Sequence, residues 1–295
     1  MSESAPIGFI GLGVMGEPIC ANLARKCGTP VLAYDLRPEP LARLARAGVR
    51  AAGSAAAVAR EAGIVMLSLP GGKELQALAE GEAGLLALCR PGQLVVDLGT
   101  SPVELTRALA AHFARKDAAY ADAPVARTRA AAEAGTLSVM VGASAAVFAR
   151  LAPLLACFAS DITHCGEVGA GQVVKLVNNM VLFQIGAALG EGLALARRAG
   201  VEGELLFTTL AKGSADSFAL RNHGMKAILP GSFPERAFSA EYALKDLSYA
   251  LELAEALGLS LSGAELARRH LRAAIAQGRG AAYWPVIAEL IAAGE

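Results

Sequence analysis

Residues 7–16 read Ile-Gly-Phe-Ile-Gly-Leu-Gly-Val-Met-Gly, an apolar run that breaks into glycines at 11, 13 and 16. A helix-compatible stretch from Glu17 to Lys26 follows, and a second apolar run, Val31-Leu32-Ala33-Tyr34, ends on Asp35. Strand, glycine turn, helix and strand, with a carboxylate about twenty residues past the last glycine, restrict this part of the chain to a βαβ unit that binds a dinucleotide. Gly11 permits the tight turn, Gly13 lets the backbone approach a pyrophosphate, and Gly16 lets helix and strand pack closely. Leu12, Val14 and Met15 complete the turn, and the helix start offers N–H groups and a positive dipole end to the phosphates. Asp35 can accept hydrogen bonds from a ribose 2′-hydroxyl and would repel a 2′-phosphate, which favours NAD. Arg37 could receive that phosphate and keeps NADP open.

The alternation continues. Strands are expected at 6–10, 30–34, 63–69, 93–98, 118–122 and 136–142, with helices between most of them, among them 38–47, 54–62, 102–116 and 144–157. Short apolar strands alternating with helices give an α/β fold, a Rossmann-type, doubly wound and mostly parallel sheet. After residue 166 strand signals vanish. A long apolar helix is expected from about 167 to 199, stopped by Gly200, then helices near 202–212, 218–229, 239–257, 262–277 and 284–293. The expected organisation is a dinucleotide-binding domain over 1–165 and an all-α substrate and oligomerisation domain over 166–295, joined by the long helix, with the chemistry in the cleft beside it. The strand ends at Leu69-Pro70 and at Gly99-Thr100-Ser101 lie where open sheets bind ligands, although each loop also reads as an ordinary turn. Ser101 before Pro102 also reads as a helix cap.

Composition removes several classes of function. A formal net charge of zero with 54% hydrophobic residues excludes a disordered chain and gives none of the basic excess of a nucleic-acid binder. Five scattered cysteines without CxxC spacing point to reduced thiols and a cytoplasmic protein, with neither a disulfide framework nor a zinc site. His112, His164, His223 and His270 show no metal spacing and are expected in surface or capping roles. The opening residues lack the basic start of a signal peptide. Leu176 to Gly190 is apolar but short of a membrane span and carries Asn178, Asn179 and Gln184, so it is expected to be a buried helix.

The chemistry is expected in Gly169-Ala170-Gly171-Gln172-Val173-Val174-Lys175-Leu176-Val177-Asn178-Asn179. Lys175 and Asn179 are four apart and share a helix face. An ammonium inside an apolar helix is expensive unless something meets it. A hydride arriving at a carbonyl carbon leaves negative charge on oxygen, which an ammonium can stabilise and protonate. A lysine that snorkels to water reads equally well from this block alone.

Four blocks together settle the comparison: Gly8-Phe9-Ile10-Gly11-Leu12-Gly13-Val14-Met15-Gly16, Asp122-Ala123-Pro124-Val125, the block from Gly169 to Asn179, and Lys245-Asp246-Leu247. In order and spacing, across nearly the whole chain, they resemble the β-hydroxyacid dehydrogenase family, which includes 3-hydroxyisobutyrate dehydrogenases and tartronate semialdehyde reductases. The resemblance implies hydride transfer between NAD(H) and a small anionic β-hydroxy acid or its semialdehyde. It implies Lys175 as general acid/base with Asn179 as helper, and Asn178 near the substrate. It also implies Thr100 and Lys245 near the nicotinamide end, with Asp246 in support, and a homodimer or homotetramer; Leu69 and Pro70 are expected on the cofactor from their place at a strand end.

One loop departs from the pattern. After Asp-Ala-Pro-Val the family usually continues Ser-Gly-Gly, a cradle for the substrate carboxylate, whereas this chain has Ala126-Arg127-Thr128. The loop partly resembles the arginine-containing loop of sulfolactaldehyde reductases in the same family, so Ala126, Arg127 and Thr128 are expected to face the substrate anion, with Arg127 as its ligand. A solvated loop arginine is the alternative. Two other functions remain as alternatives: an imine reductase of the same architecture, against which Lys175 argues, and a non-catalytic NADH-binding module.

Overall fold

The computed structural model describes residues 5–235 and 237–293 and divides into two compact units, Met1–Lys175 and Leu176–Glu295.

In the first unit the described residues form one sheet. Its strands are β1 (Ile7–Ile10), β2 (Val31–Tyr34), β3 (Arg50–Ala51), β4 (Ile64–Leu67), β5 (Leu94–Asp97), β6 (Ala119–Asp122), β7 (Val125–Ala126), β8 (Leu137–Gly142) and β9 (Ala159–Gly166). Their order is β3-β2-β1-β4-β5-β6-β8-β7, with β9 also against β8. The pairs from β3 to β6 are parallel, and β8 runs antiparallel to β6 and β7. All four residues of β1 and of β5 are buried, as expected of parallel strands covered on both faces. Alternate residues supply two cores: Phe9, Met66 and Val96 on one face, Ile10, Val65 and Val95 on the other.

The register places the function. Ile10 pairs with Tyr34 and with Leu67, Leu67 with Asp97, and Asp97 with Asp122, so the carboxyl ends of five strands lie in one line. The strand order turns back at β1, which lies between β2 and β4, and the glycine turn leaves from the end of β1. That is the switch point at which open sheets bind ligands.

Helices α1 (Gly16–Lys26), α2 (Pro38–Leu44), α3 (Ala55–Glu61), α4 (Gly72–Ala79), α5 (Leu85–Leu88), α6 (Val103–Ala114), α7 (Arg129–Ala134) and α8 (Ala145–Leu155) complete the first unit. The short strands β3 and β7 and the long β9 are not among those expected from the sequence. In β9 only Ala159 is fully buried, so the strand lacks the apolar run that marks the others.

α9 (Ala170–Arg198) belongs to both units. It ends on a left-handed Gly200 (φ +80°), where the Gly200 N–H donates to Arg197 O and the Val201 N–H to Ala196 O. By length and composition it could cross a membrane, a test that a protein's core helix also passes. Leu176 and Phe183 on it are fully buried, and Phe183 packs with Leu247, Leu271 and Trp284.

The second unit is helical: α10 (Gly203–Leu210), a π-helix over Leu220–Ile228, α11 (Ala240–Ala256), α12 (Ser262–Ala276), a 3₁₀ turn over Trp284–Val286 and α13 (Ile287–Ala293). The helix expected over 218–229 is thus mostly π. Within this segment the Leu229 N–H donates to Gly224 O, five residues back.

Candidate active site

The glycine turn has the shape its sequence demands. Gly11 has φ +92°, and a Cβ there would stand 2.3 Å from Ser68 O; a Cβ on Gly16 would stand 2.1 Å from Gly11 O. At Gly13 the same position is open, with nothing within 4 Å. Leu12 is buried, Val14 lies exposed over the turn, and Met15 is the N-cap of α1, with no side chain capping the helix. This cradle of open space before an uncapped helix start fits a dinucleotide pyrophosphate.

Asp35 follows β2 at the same edge. Its carboxylate accepts the N–H of Leu12 at 2.6 Å, the N–H of Arg37 at 2.9 Å and the Arg37 Nε–H at 3.3 Å. Burial acts to raise its pKa, but these donors and the guanidinium charge prevail and hold it below the usual carboxylate value. The Arg37 guanidinium also donates to Leu12 O, so it is folded back on the turn.

The loops after β4 and β5 abut: a Cβ on Gly99 would lie 3.1 Å from Leu69 O. Thr100 is half-buried and Pro70 exposed. Ser101 does not cap α6, whose N-cap is Pro102. Its hydroxyl instead donates to Asp97 Oδ2 at 2.7 Å, because a buried strand-end carboxylate two residues before Gly99 is the stronger acceptor.

Asp97 and Asp122, paired at the ends of β5 and β6, are buried carboxylates to which the sequence reading gave no individual role. Asp122 receives the start of α9: its Oδ1 accepts the Gly169 N–H at 2.6 Å and its Oδ2 the Gln172 N–H at 2.7 Å. Burial pushes its pKa up to about 6, with those peptide donors opposing. A carboxylate at a helix N-terminus also complements the helix dipole. The available signal was its place in Asp122-Ala123-Pro124-Val125, at the end of a predicted strand.

Lys175 stands five residues into α9 and is only 8% exposed. One turn on, Asn179 is buried and its amide nitrogen donates to Asp246 Oδ2 at 2.7 Å. Asn178 is exposed and donates to Asn179 Oδ1 at 2.9 Å. On α11, Lys245 Nζ lies 2.9 Å from Asp246 Oδ1, and 5.3 Å and 5.1 Å from the ring centroids of Tyr242 and Tyr249. Asp246 therefore orients both Asn179 and Lys245.

In the loop of Ala126, Arg127 and Thr128 the arginine side chain is engaged within the protein. Ala126 pairs with Ser138 in the sheet. Arg127 has φ +86°, a conformation that favours glycine, and it stands where the family pattern has glycine. Its side chain is not held out as a spare anion ligand. The guanidinium donates to Thr136 O at 2.6 Å and Ser160 Oγ at 2.9 Å, and pairs with Asp161 at 2.7 Å. These partners sit beside it because β7, β8 and β9 are neighbours, an arrangement that depends on the unexpected β9. Thr128 caps α7 through a bond from the Ala131 N–H.

The histidines also depart from a uniform surface role. His223, in the π-helix, is buried, bonded through Nδ1 to the Tyr283 hydroxyl, and packed 5.3 Å from the Trp284 ring. Burial, with a smaller contribution from Lys226, lowers its pKa to about 4. Among the described residues no group of three or more His, Cys, Asp or Glu is placed to hold a metal ion.

Two family models match the chain. Residues 6–166 match the NAD-binding domain of 6-phosphogluconate dehydrogenase, and residues 169–287 match the NAD-binding region of NADP-dependent 3-hydroxyisobutyrate dehydrogenase. The 2-(hydroxymethyl)glutarate dehydrogenase of Eubacterium barkeri is 38% identical, over 85% of this chain and 83% of its own length. The 3-hydroxyisobutyrate dehydrogenase of Pseudomonas aeruginosa is 37% identical, over 89% of each chain. The structure of Mycobacterium tuberculosis 3-hydroxyisobutyrate dehydrogenase with L-serine superposes with a TM-score of 0.88 at 29% identity, covering 98% of this chain and 99% of that one.

Proposed function

As a member of the β-hydroxyacid dehydrogenase family this chain is an NAD(P)-dependent hydroxy-acid dehydrogenase, and we propose that it moves a hydride between NAD(H) and the hydroxymethyl carbon of a short carboxylate, with Lys175 as general acid/base. The observation that carries this reading is Lys175 itself, 8% exposed on an apolar helix and one turn from an asparagine held by a buried carboxylate. The compounds named with the relatives support the substrate class. 2-(Hydroxymethyl)glutarate, 3-hydroxyisobutyrate and L-serine each carry a CH₂OH on the carbon next to a carboxylate.

The nicotinamide supplies or accepts the hydride. In reduction the substrate aldehyde gains that hydride at carbon, and Lys175 delivers a proton to the oxygen, giving the alcohol. In oxidation the amine of Lys175 takes the hydroxyl proton as the hydride leaves. Asn179 orients the reacting oxygen, with Asn178 beside it. Thr100 and Lys245 serve the nicotinamide end, and Gly11, Leu12, Gly13, Val14, Met15, Gly16, Asp35, Leu69 and Pro70 hold the rest of the cofactor. Ala126, Arg127 and Thr128 face the substrate carboxylate through peptide groups and the Thr128 hydroxyl. NAD is preferred over NADP because Asp35 is an ionised acceptor and the Arg37 guanidinium is already bonded to it.

A carboxylate is favoured over a sulfonate because an anion held by Arg127 would first have to release Asp161, Ser160 and Thr136. The test is NADH oxidation with methylmalonate semialdehyde, tartronate semialdehyde and sulfolactaldehyde, in the wild type and in Lys175→Ala. The expected result is a preference for a carboxylate aldehyde and a loss of at least about a hundredfold in kcat for the variant, with NADH affinity within about threefold. Near-normal turnover in Lys175→Ala removes the assignment of the lysine. A sulfonate preference that disappears in Arg127→Ala overturns the substrate class.

A further inference from the structure

The start of α9 and the loop after β5 are joined through one side chain. Gln172 is wholly buried. Its Oε1 accepts the Ser101 N–H at 3.1 Å, and its Nε2 donates to Gly99 O at 2.9 Å and lies 3.5 Å from Asp97 Oδ2. Its own peptide N–H is held by Asp122. Asp97 in turn accepts the Gly99 N–H and the Ser101 hydroxyl. The amide therefore grips both sides of Thr100, the residue assigned to the nicotinamide end, and does so three residues before Lys175.

The surroundings leave the helix start little room to shift. A Cβ on Gly171 would stand 2.3 Å from Met140 O, and one on Gly142 would stand 2.4 Å from Asp122 Oδ1. Three residues of α-helix rise about 4.5 Å, so a displacement at Gln172 passes to Lys175 almost undamped. Among side chains of this length only an amide, or a protonated glutamic acid, offers one donor and one acceptor at such a fork.

We propose that Gln172 is a positioning residue of the dehydrogenase, fixing the loop Gly99–Ser101 and the lysine-bearing start of α9 as one unit. The proposal rests on the reading of Lys175 and Thr100 given above.

Gln172→Leu removes both bonds, and Gln172→Glu offers a conditional repair. A glutamate there would face Asp97 and Asp122 as ionisable neighbours. Burial raises the pKa of Tyr120 and of Cys165, with Asp97 and Asp122 adding to it at Tyr120 and Asp122 at Cys165, and Arg107 lies against Gly169. Beside two carboxylates the new group takes up a proton as pH falls, and only the protonated form donates and accepts as the amide does. Gln172→Leu is expected to lose about ten- to a hundredfold in kcat, with NADH affinity within about threefold. The ratio of kcat in Gln172→Glu to that of the wild type is expected to rise as pH falls from about 8 to 5, while the Gln172→Leu ratio stays flat.

Hydrogen exchange supplies a readout besides turnover: protection of the Ser101 amide is expected to drop in Gln172→Leu while the middle of α9 stays protected. Turnover of Gln172→Leu within twofold of wild type overturns the proposal. So does a pH-independent Gln172→Glu ratio, which also serves if the leucine variant does not fold. If Lys175→Ala keeps its turnover, the reading of the lysine fails by itself, and unchanged Ser101 exchange in Gln172→Leu then decides against Gln172.

Discussion

Asp246 and Asn179 are joined by a hydrogen bond of 2.7 Å, donated by the asparagine amide to a carboxylate that is 3% exposed. The other oxygen of the same carboxylate lies 2.9 Å from Lys245 Nζ. One buried charge thus fixes two polar side chains that the sequence singled out separately. Asp246→Ala is expected to lower kcat by about ten- to a hundredfold. It also leaves a buried amide without its acceptor, at about 1–3 kcal/mol. Asp246→Asn keeps an acceptor for Asn179 and loses the charge beside Lys245, so it should fall between wild type and alanine in both turnover and urea midpoint.

Asp122 predicts a pH dependence of stability. Its folded-state pKa of about 6 lies above the 3.8 of an ordinary aspartate. A carboxyl whose pKa is raised on folding gives its contribution in full below the unfolded value and loses it as pH rises through the folded one. Between about pH 4 and 6 the wild type should therefore lose stability relative to Asp122→Asn, by an amount on the order of 3 kcal/mol. Urea unfolding of both proteins at several pH values measures the change in their difference; a constant difference contradicts it.

His223 acts with the opposite sign in an overlapping window. Its pKa is lowered to about 4 from 6.5, so its contribution is complete above pH 6.5 and is lost as pH falls toward 4. His223→Gln should show a flatter stability profile than the wild type below about pH 6.5, which thermal melts across that range would reveal.

Arg127 occupies a left-handed position (φ +86°). Arg127→Ala keeps a Cβ there and removes the bonds to Thr136, Ser160 and Asp161, whereas Arg127→Gly removes the same bonds and the strain. The glycine variant should be the more stable of the two by about 1–2 kcal/mol, read from denaturant midpoints.

Asp35 should govern the choice of cofactor. Asp35→Ser removes the charge that repels a 2′-phosphate and releases the Arg37 guanidinium from its partner. The ratio of kcat/KM for NADH over NADPH is expected to fall by at least about tenfold; an unchanged ratio removes the charge argument.

What could be read from the sequence was what repeats or what a motif spells out. The strands β1, β2, β4, β5 and β6 are largely apolar runs in a parallel sheet, and the turn from Gly11 to Gly16 carries its own geometry. β9 could not be read, because Ser160, Asp161, Thr163 and His164 are polar and exposed on a strand with little to bury. Arg127 looked like a spare cation for the same reason: its partners Asp161 and Ser160 lie on that strand, more than thirty residues away in sequence. Gln172 was visible in the block that carries Lys175, but nothing in one sequence says that its amide meets a loop near residue 100. A glycine expected by family pattern at the place of Arg127 was the one available hint of a left-handed backbone.

The π-helix over Leu220–Ile228 sets a condition of another kind. Its wide turn spends more residues per revolution than an α-helix, and it delivers His223 to the Tyr283 hydroxyl. Removing a single residue from the segment would let it close into an ordinary α-helix with a regular backbone, and the imidazole would rotate away from its partner by roughly a quarter turn. The length of this stretch is therefore as much a part of its specification as its residue types. In homologous chains an insertion or deletion here should be a better guide to whether the histidine–tyrosine contact exists than the identity of either residue.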